Sequence, residues 1–180
     1  MIFQHFLLNA NEANLYLIGC EHTLEGALID AGNFDQRVAD FVLQHGLKMK
    51  AVFITHGHWD HKGGVEDYQA TFNCPVHDFS DLRDGQTVRI GRLSLRVMQT
   101  TGHTEDSISL LVEDEGVLFT GDALFAGSIG GTDSPMRKAE LVENIRRKIL
   151  TLPKETLIYS GHGPATTVGI EKEFNPFLQS

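Results

Sequence analysis

Residues 51–64 read Ala51-Val52-Phe53-Ile54-Thr55-His56-Gly57-His58-Trp59-Asp60-His61-Lys62-Gly63-Gly64. The opening apolar run has the character of a strand buried on both faces. Directly behind it, three histidines and one aspartate fall within six residues. His56 and His58 stand two apart, so in extended chain both imidazoles project from the same side, while Asp60 and His61 follow in the turn. Packing gives no reason to crowd four such side chains together. Metal binding does: imidazole and carboxylate without thiolate suit Zn²⁺, and the same donors serve Fe or Mn. The spacing fits two neighbouring metal ions. The motif also lies beyond the carboxyl end of a strand, where open α/β sheets bind their ligands.

Working outward, Met1–Leu8, Asn14–Cys20 and Gly26–Asp30 have strand-like apolar content separated by turn residues, the pattern of an antiparallel meander. Phe34, Val38, Phe41 and Val42 recur at helical spacing up to His45, and Gly46 stops the helix. A second helix is predicted from about Gly64 to Phe72. Strand-like runs return at Thr87–Ile90, Leu93–Gln99, Ser107–Glu113 and Val117–Thr120. Lys138–Leu150 then carries Leu141, Val142, Ile145 and Ile149 on one helical stripe, and Thr156–Ser160 is a last short strand. Two β-sheets packed together with helices on the outer faces, an α/β/β/α sandwich, would bury the apolar face of every element. No repeat, low-complexity stretch or linker interrupts the chain, so residues 1–180 are expected to form a single domain.

Three further segments place a ligand-type side chain in a Gly-flanked loop near a strand end: Gly102-His103-Thr104, Gly121-Asp122-Ala123 and Gly161-His162-Gly163. Glycine lets the chain turn sharply there and leaves room beside the side chain. With His56, His58, Asp60 and His61 they form a candidate site of seven residues. His5, His22, His45 and His77 lack such surroundings and read as structural or exposed.

Composition narrows the remaining classes. The chain is 41% hydrophobic and 22% charged, with no apolar run of the ~20 residues that span a bilayer, so a soluble globular protein is expected. The N-terminus lacks the basic and long apolar regions of a signal peptide, and a cytoplasmic protein is expected. A formal net charge of −9 argues against nucleic acid or an anionic membrane as partner. Cys20 and Cys74 stand without CxxC spacing and read as packed thiols. Arg137, Lys138, Arg146, Arg147 and Lys148 gather late in the chain and read first as a solvated helix face, although such a cluster can also attract an anionic substrate.

The sequence resembles the metallo-β-lactamase superfamily, whose H-x-H-x-D-H motif is matched at His56, His58, Asp60 and His61 and whose later His, Asp and His are matched at His103, Asp122 and His162. The resemblance implies two metal ions, zinc before iron or manganese. His56, His58 and His103 would hold one, Asp60, His61 and His162 the other, and Asp122 would bridge them. Within the superfamily, Thr55–Gly64, Gly121-Asp122-Ala123-Leu124-Phe125 and Gly161-His162-Gly163-Pro164 through Asn175-Pro176-Phe177 are similar to the glyoxalase II branch, chiefly its short bacterial members. Asp122 separates the chain from true β-lactamases, which usually have cysteine there.

The implied activity is hydrolysis of a thioester such as S-lactoylglutathione by a water shared between the metals and oriented by Asp60. Two features depart from the branch. Full-length glyoxalase II carries a C-terminal helical domain that helps bind glutathione, whereas this sequence ends eighteen residues after His162. The branch often has Lys or Arg after the last glycine of the loop behind the bridging aspartate, and here the loop reads Gly127-Ser128-Ile129-Gly130-Gly131-Thr132-Asp133. A related alternative is a persulfide dioxygenase, with one iron on His56, His103 and Asp122. Hydrolysis of another small ester or lactone, and a metal-bound scaffold without catalysis, are further alternatives.

Overall fold

The computed structural model describes residues 1–179. The chain opens with the expected antiparallel meander, β1 (Ile2–Leu7), β2 (Asn14–Gly19) and β3 (Glu25–Ile29), followed by helix α1 (Gln36–Gln44) and β4 (Lys48–Phe53). A one-turn helix α2 (Trp59–Lys62), α3 (Val65–Phe72) and the short β5 (Val76–His77) complete this half. The second half contains β6 (Thr87–Ile90), β7 (Leu93–Gln99), β8 (Ile108–Val112), β9 (Val117–Gly121) and a small hairpin of β10 (Leu124–Phe125) and β11 (Ser128–Ile129). It closes with α4 (Pro135–Asn144), β12 (Leu157–Ser160), β13 (Thr166–Thr167) and α5 (Val168–Phe174).

Two sheets result. The first runs β1-β2-β3-β4-β5 and the second β13-β12-β9-β8-β7-β6. In the first, β3, β4 and β5 are parallel; in the second, β9 and β12 are parallel and the other neighbours antiparallel. The period-2 alternation of strand side chains decides the layering. In β2, Tyr16 and Ile18 point into the space between the sheets, where they meet Leu95, Val97, Leu110 and Phe119, while Leu15 and Leu17 point outward beneath Val38, Val42 and Tyr68. On the far side, Leu111, Leu118 and Ile158 lie beneath Leu141, Ile145 and Ile149. The expected α/β/β/α order is thus realised.

The boundaries differ from expectation for identifiable reasons. Helix α1 begins at Gln36 because Asp35 is its cap, its carboxylate accepting from the Arg37 amide, while Phe34 turns aside against Tyr68. The helix expected from Lys138 starts three residues earlier, behind the cap Ser134 and with Pro135 in its first turn. At its end, residues Ile145–Ile149 widen into a π turn, which leaves Ile145 and Ile149 buried as the stripe requires. Helix α2, strands β5, β10, β11 and β13 and helix α5 are too short or too polar to show a period. Both cysteines are free and buried. No helix among the described residues is long and apolar enough to cross a membrane.

Candidate metal centre

The register of the two sheets brings the sequence-predicted loops to one end of the sandwich. His56 follows β4, His103 lies between β7 and β8, Asp122 follows β9, and His162 follows β12. Because β9 and β12 are parallel, with Ser160 opposite Gly121, Asp122 and His162 emerge side by side. Backbone bonds sew the sheets together here: Ile108 N–H donates to Thr55 O, and Asn14 N–H to Gly161 O, both at 2.8 Å. Gly161 is required by this closeness, since a Cβ on it would lie 2.2 Å from Asp122 Oδ1.

All seven residues converge, in two groups. His56, His58, His103 and Asp122 each offer one donor atom to the first, and Asp60, His61 and His162 to the second. In the first group His56 Nε2 lies 3.0 Å from His58 Nδ1, and His103 Nε2 3.2 Å from the same atom. In the second, His162 Nε2 stands 3.3 Å from His61 Nε2 and 3.4 Å from Asp60 Oδ2. Asp122 faces both groups. Its Oδ2 is 3.6 Å from His103 Nε2 and 3.7 Å from His162 Nε2, while Oδ1 is 3.4 Å from His61 Nε2.

The surroundings settle which ring nitrogens face inward. His103 Nδ1 donates to the Gly131 carbonyl at 2.7 Å, leaving Nε2 for the centre. His61 Nδ1 donates to Asp30 Oδ2 at 3.0 Å. Thr55 spends its hydroxyl proton on Asp30 Oδ2, so His56 Nδ1 donates to the Thr55 oxygen at 3.1 Å, and its Nε2 is free as well. Ring orientation by such outer partners is a recurrent feature of metal-binding histidines.

The electrostatics fit a cation. Burial and the neighbouring rings of His61, His103 and His58 push the His56 pKa far down, so that ring is neutral and ready to ligate. Burial also opposes charge on His61, yet Asp30, Asp122 and Asp60 together hold its pKa up to about 9. Positive charge is therefore favoured at this spot, whether carried by a proton or a metal. Burial raises the Asp122 pKa against the opposing pull of His61, His162 and His103. Asp122 Oδ1 is moreover buried with no hydrogen-bond partner among the described residues. A buried carboxylate oxygen facing imidazole nitrogens is a donor set that fits a metal ion.

Several contributors carry no motif signal. Asp30 directly follows β3 in the left-handed region at φ 61°, is buried, and accepts from the Thr55 amide, the Thr55 hydroxyl and His61. Asn11 donates to Asp60 Oδ2 at 2.8 Å; although burial works against ionisation, this bond and the nearby His61 keep the Asp60 pKa below its ordinary value. Asn14 donates to the Ser160 and Gly163 carbonyls and so anchors the loop of His162. The sequence hint is a polar residue at the start or end of an apolar strand, Asn14 and Asp30, whereas Asn11 lies in the turn between β1 and β2. The four remaining histidines stay outside the site, His22 and His45 exposed, His77 against Asp81, and His5 against Asn14. A cavity of about 520 Å³ lies behind the histidine loop, lined by Ile54, Trp59, Lys62 and Asp106 among others, and touches His56 alone of the seven.

Comparison with known proteins places the chain in a family. The profile described as the metallo-beta-lactamase superfamily matches residues 8–79 and 77–162, and the chain belongs to that superfamily. It is thus a metallo-hydrolase by family. Hydroxyacylglutathione hydrolase GloC of Haemophilus influenzae is 30% identical, over 86% of this chain and 87% of that protein. The crystal structure of BLEG-1 B3 metallo-beta-lactamase superposes with a TM-score of 0.92 at 30% identity, covering 99% of this chain and all of that one. That of ETHE1 from Myxococcus xanthus does so with a TM-score of 0.86 at 34% identity, covering 98% and 84%.

Proposed function

We propose that the protein is a dinuclear metal-dependent hydrolase of small thioesters, with S-lactoylglutathione and related S-acyl-glutathiones as its substrate class. Asp122 carries the reading: one carboxylate faces two separate groups of candidate ligands and keeps a buried oxygen without a hydrogen-bond partner among the described residues. His56, His58 and His103 would hold one ion, Asp60, His61 and His162 the other, with Asp122 shared. Zinc suits the all-nitrogen-and-oxygen set, which iron or manganese would also accept. When bound, such ions lower the pKa of water and draw electron density from an acyl carbonyl. The chain's own part is orientation. Asn11 fixes the ionised Asp60 carboxylate, which accepts a hydrogen bond from the incoming water and directs its lone pair at the acyl carbon. Water adds to that carbon, the C–S bond breaks, and acid and thiol are released. The similarity to GloC supports the choice of thioester. A small-molecule substrate, rather than a polyanion or membrane, agrees with the net charge of −9.

The test is metal content and turnover of S-lactoylglutathione by the purified protein. Two metal equivalents per chain are expected. Asp60→Ala should lower turnover at least about a hundredfold, the lower range for a positioned proton-handling group, and His58→Ala, which removes a proposed metal ligand, at least as much; undiminished activity in either would sink the assignment. The similarity to ETHE1 favours persulfide oxidation as a second reading, with one iron on His56, His103 and Asp122. Oxygen uptake with glutathione persulfide and a single iron per chain would select it. Because BLEG-1 is a B3 metallo-beta-lactamase, a β-lactam belongs in the same screen.

A further inference from the structure

We infer that a cleft beside the metal centre receives the end of the thioester remote from the scissile bond, and that Lys138 fixes a carboxylate there. This rests on the hydrolase reading above and adds to it a specificity-determining residue. The cleft, about 340 Å³, is lined by Ile129, Gly130, Gly131, Thr132, Lys138 and Phe177. Its wall backs onto the centre through the His103 ring. The Gly131 carbonyl accepts from His103 Nδ1 at 2.7 Å, and a Cβ on Gly130 would come within 2.9 Å of the His103 ring. None of the seven candidate ligands lines the cleft, so a substrate whose acyl carbon sits among them would have to pass the edge of the His103 ring to enter it.

Gly131 has no backbone reason to be glycine. Its φ lies outside the left-handed region, and a Cβ there would meet nothing within 4 Å among the described residues. What its lack of a side chain leaves is space. Lys138 supplies the charge. Its Nζ lies 5.1 Å from the Phe177 ring centroid, a distance at which an aromatic face attracts a cation. Its basic neighbours in sequence are all engaged: Arg137 with Glu105 and Glu140, Arg147 with Glu143, Lys148 with Asp84, and Arg146 with the Leu178 and Gln179 carbonyls. Lys138 alone of the five has no oxygen partner among the described residues. The platform beneath it is fixed, because the Phe177 amide donates to Asn175 Oδ1 and Asn175 donates to Glu171. A cation held over an aromatic ring, in a cleft whose lining contains no carboxylate, is a local place for an anionic group even on a chain of net negative charge.

The experiment compares two probes with the metal-loaded enzyme: S-acetyl-3-mercaptopropionate and its methyl ester, which differ only in the carboxylate. Lys138→Ala is expected to raise KM for the acid roughly tenfold, the usual size of a lost charge-assisted bond, with kcat within about twofold and the methyl ester unaffected. Lys138→Arg should restore most of the loss. Equal effects on both probes, or none, would overturn the inference. Binding of the unreactive thioether S-butyl-3-mercaptopropionate, followed by calorimetry, separates the two proposals. Binding that Lys138→Ala abolishes supports the cleft even if neither ester is hydrolysed, an outcome that would count against the hydrolase reading alone. Thioether binding unchanged by Lys138→Ala, or absent from the unsubstituted enzyme, overturns the cleft proposal.

Discussion

Asp30 donates nothing to the candidate centre, yet it decides the orientation of two of its residues. One carboxylate accepts from the Thr55 amide and hydroxyl and from His61, so the ring of His61 turns its other nitrogen inward and Thr55 is left to receive the proton of His56. Asn at this position keeps the shape and tolerates the left-handed backbone, but removes the charge. Asp30→Asn should therefore leave the far-ultraviolet circular dichroism unchanged while weakening zinc affinity about tenfold or more, as loss of an outer partner commonly does; competition with a chromophoric chelator measures it. The same carboxylate sets a pH dependence in the metal-free protein. The pKa of His61 is raised from 6.5 to about 9, so the stability it contributes is complete below 6.5 and lost as pH rises through about 9. Melting temperatures of chelator-treated protein should fall across that window, and Asp30→Asn should flatten the fall.

At the level of elements, the hairpin β10–β11 and helix α5 form one unit joined by a buried carboxylate. Glu171 on α5 accepts from the Gly127 amide at the tip of the hairpin, from the Thr166 hydroxyl and from Asn175, which in turn donates to the Ser128 carbonyl. Hydrogen bonds to a buried charge contribute about 1.5–3 kcal/mol each, and a partner left unsatisfied costs a similar amount. Glu171→Ala is thus expected to destabilise the protein by about 3 kcal/mol in urea denaturation and to speed amide exchange at Gly127 and Ser128. Protection in β2 and β9 should persist, because their cores contain none of these groups. Neither element announces itself in sequence. Each strand of the hairpin has two residues, and α5 completes fewer than two turns, too short for any hydrophobic period to show.

For the whole molecule, the apolar cores and the candidate ligands are separate systems. Phe53, Leu95, Leu110 and Phe119 close the space between the sheets, while the ligands sit on loops at one end. Metal removal should therefore loosen the site without unfolding the chain. Chelation is expected to preserve the circular dichroism spectrum and to lower the melting temperature, with recovery that grows with added zinc as binding to the folded state requires. Collapse of secondary structure on chelation would show that the metals hold the fold itself.

The layered fold and the seven candidate residues were legible in the sequence because both rest on local regularities. Period-2 and period-3.6 apolar patterns dictate which faces are buried, and dense His and Asp in Gly-flanked loops has no competing explanation in packing. Helix starts were less legible, because the caps Asp35 and Ser134 act through side-chain bonds that apolar spacing does not register. Only the tertiary structure decided that the histidine motif after β4 and the loops of His103, Asp122 and His162 share one end of the sandwich, and that Asp122 looks into both groups. These juxtapositions arise from strand register between segments far apart in the chain. The opening motif thus determined the kind of chemistry, whereas Asp30, Glu171 and the Lys138 cleft acquire their roles through contacts that exist only once the sheets have packed.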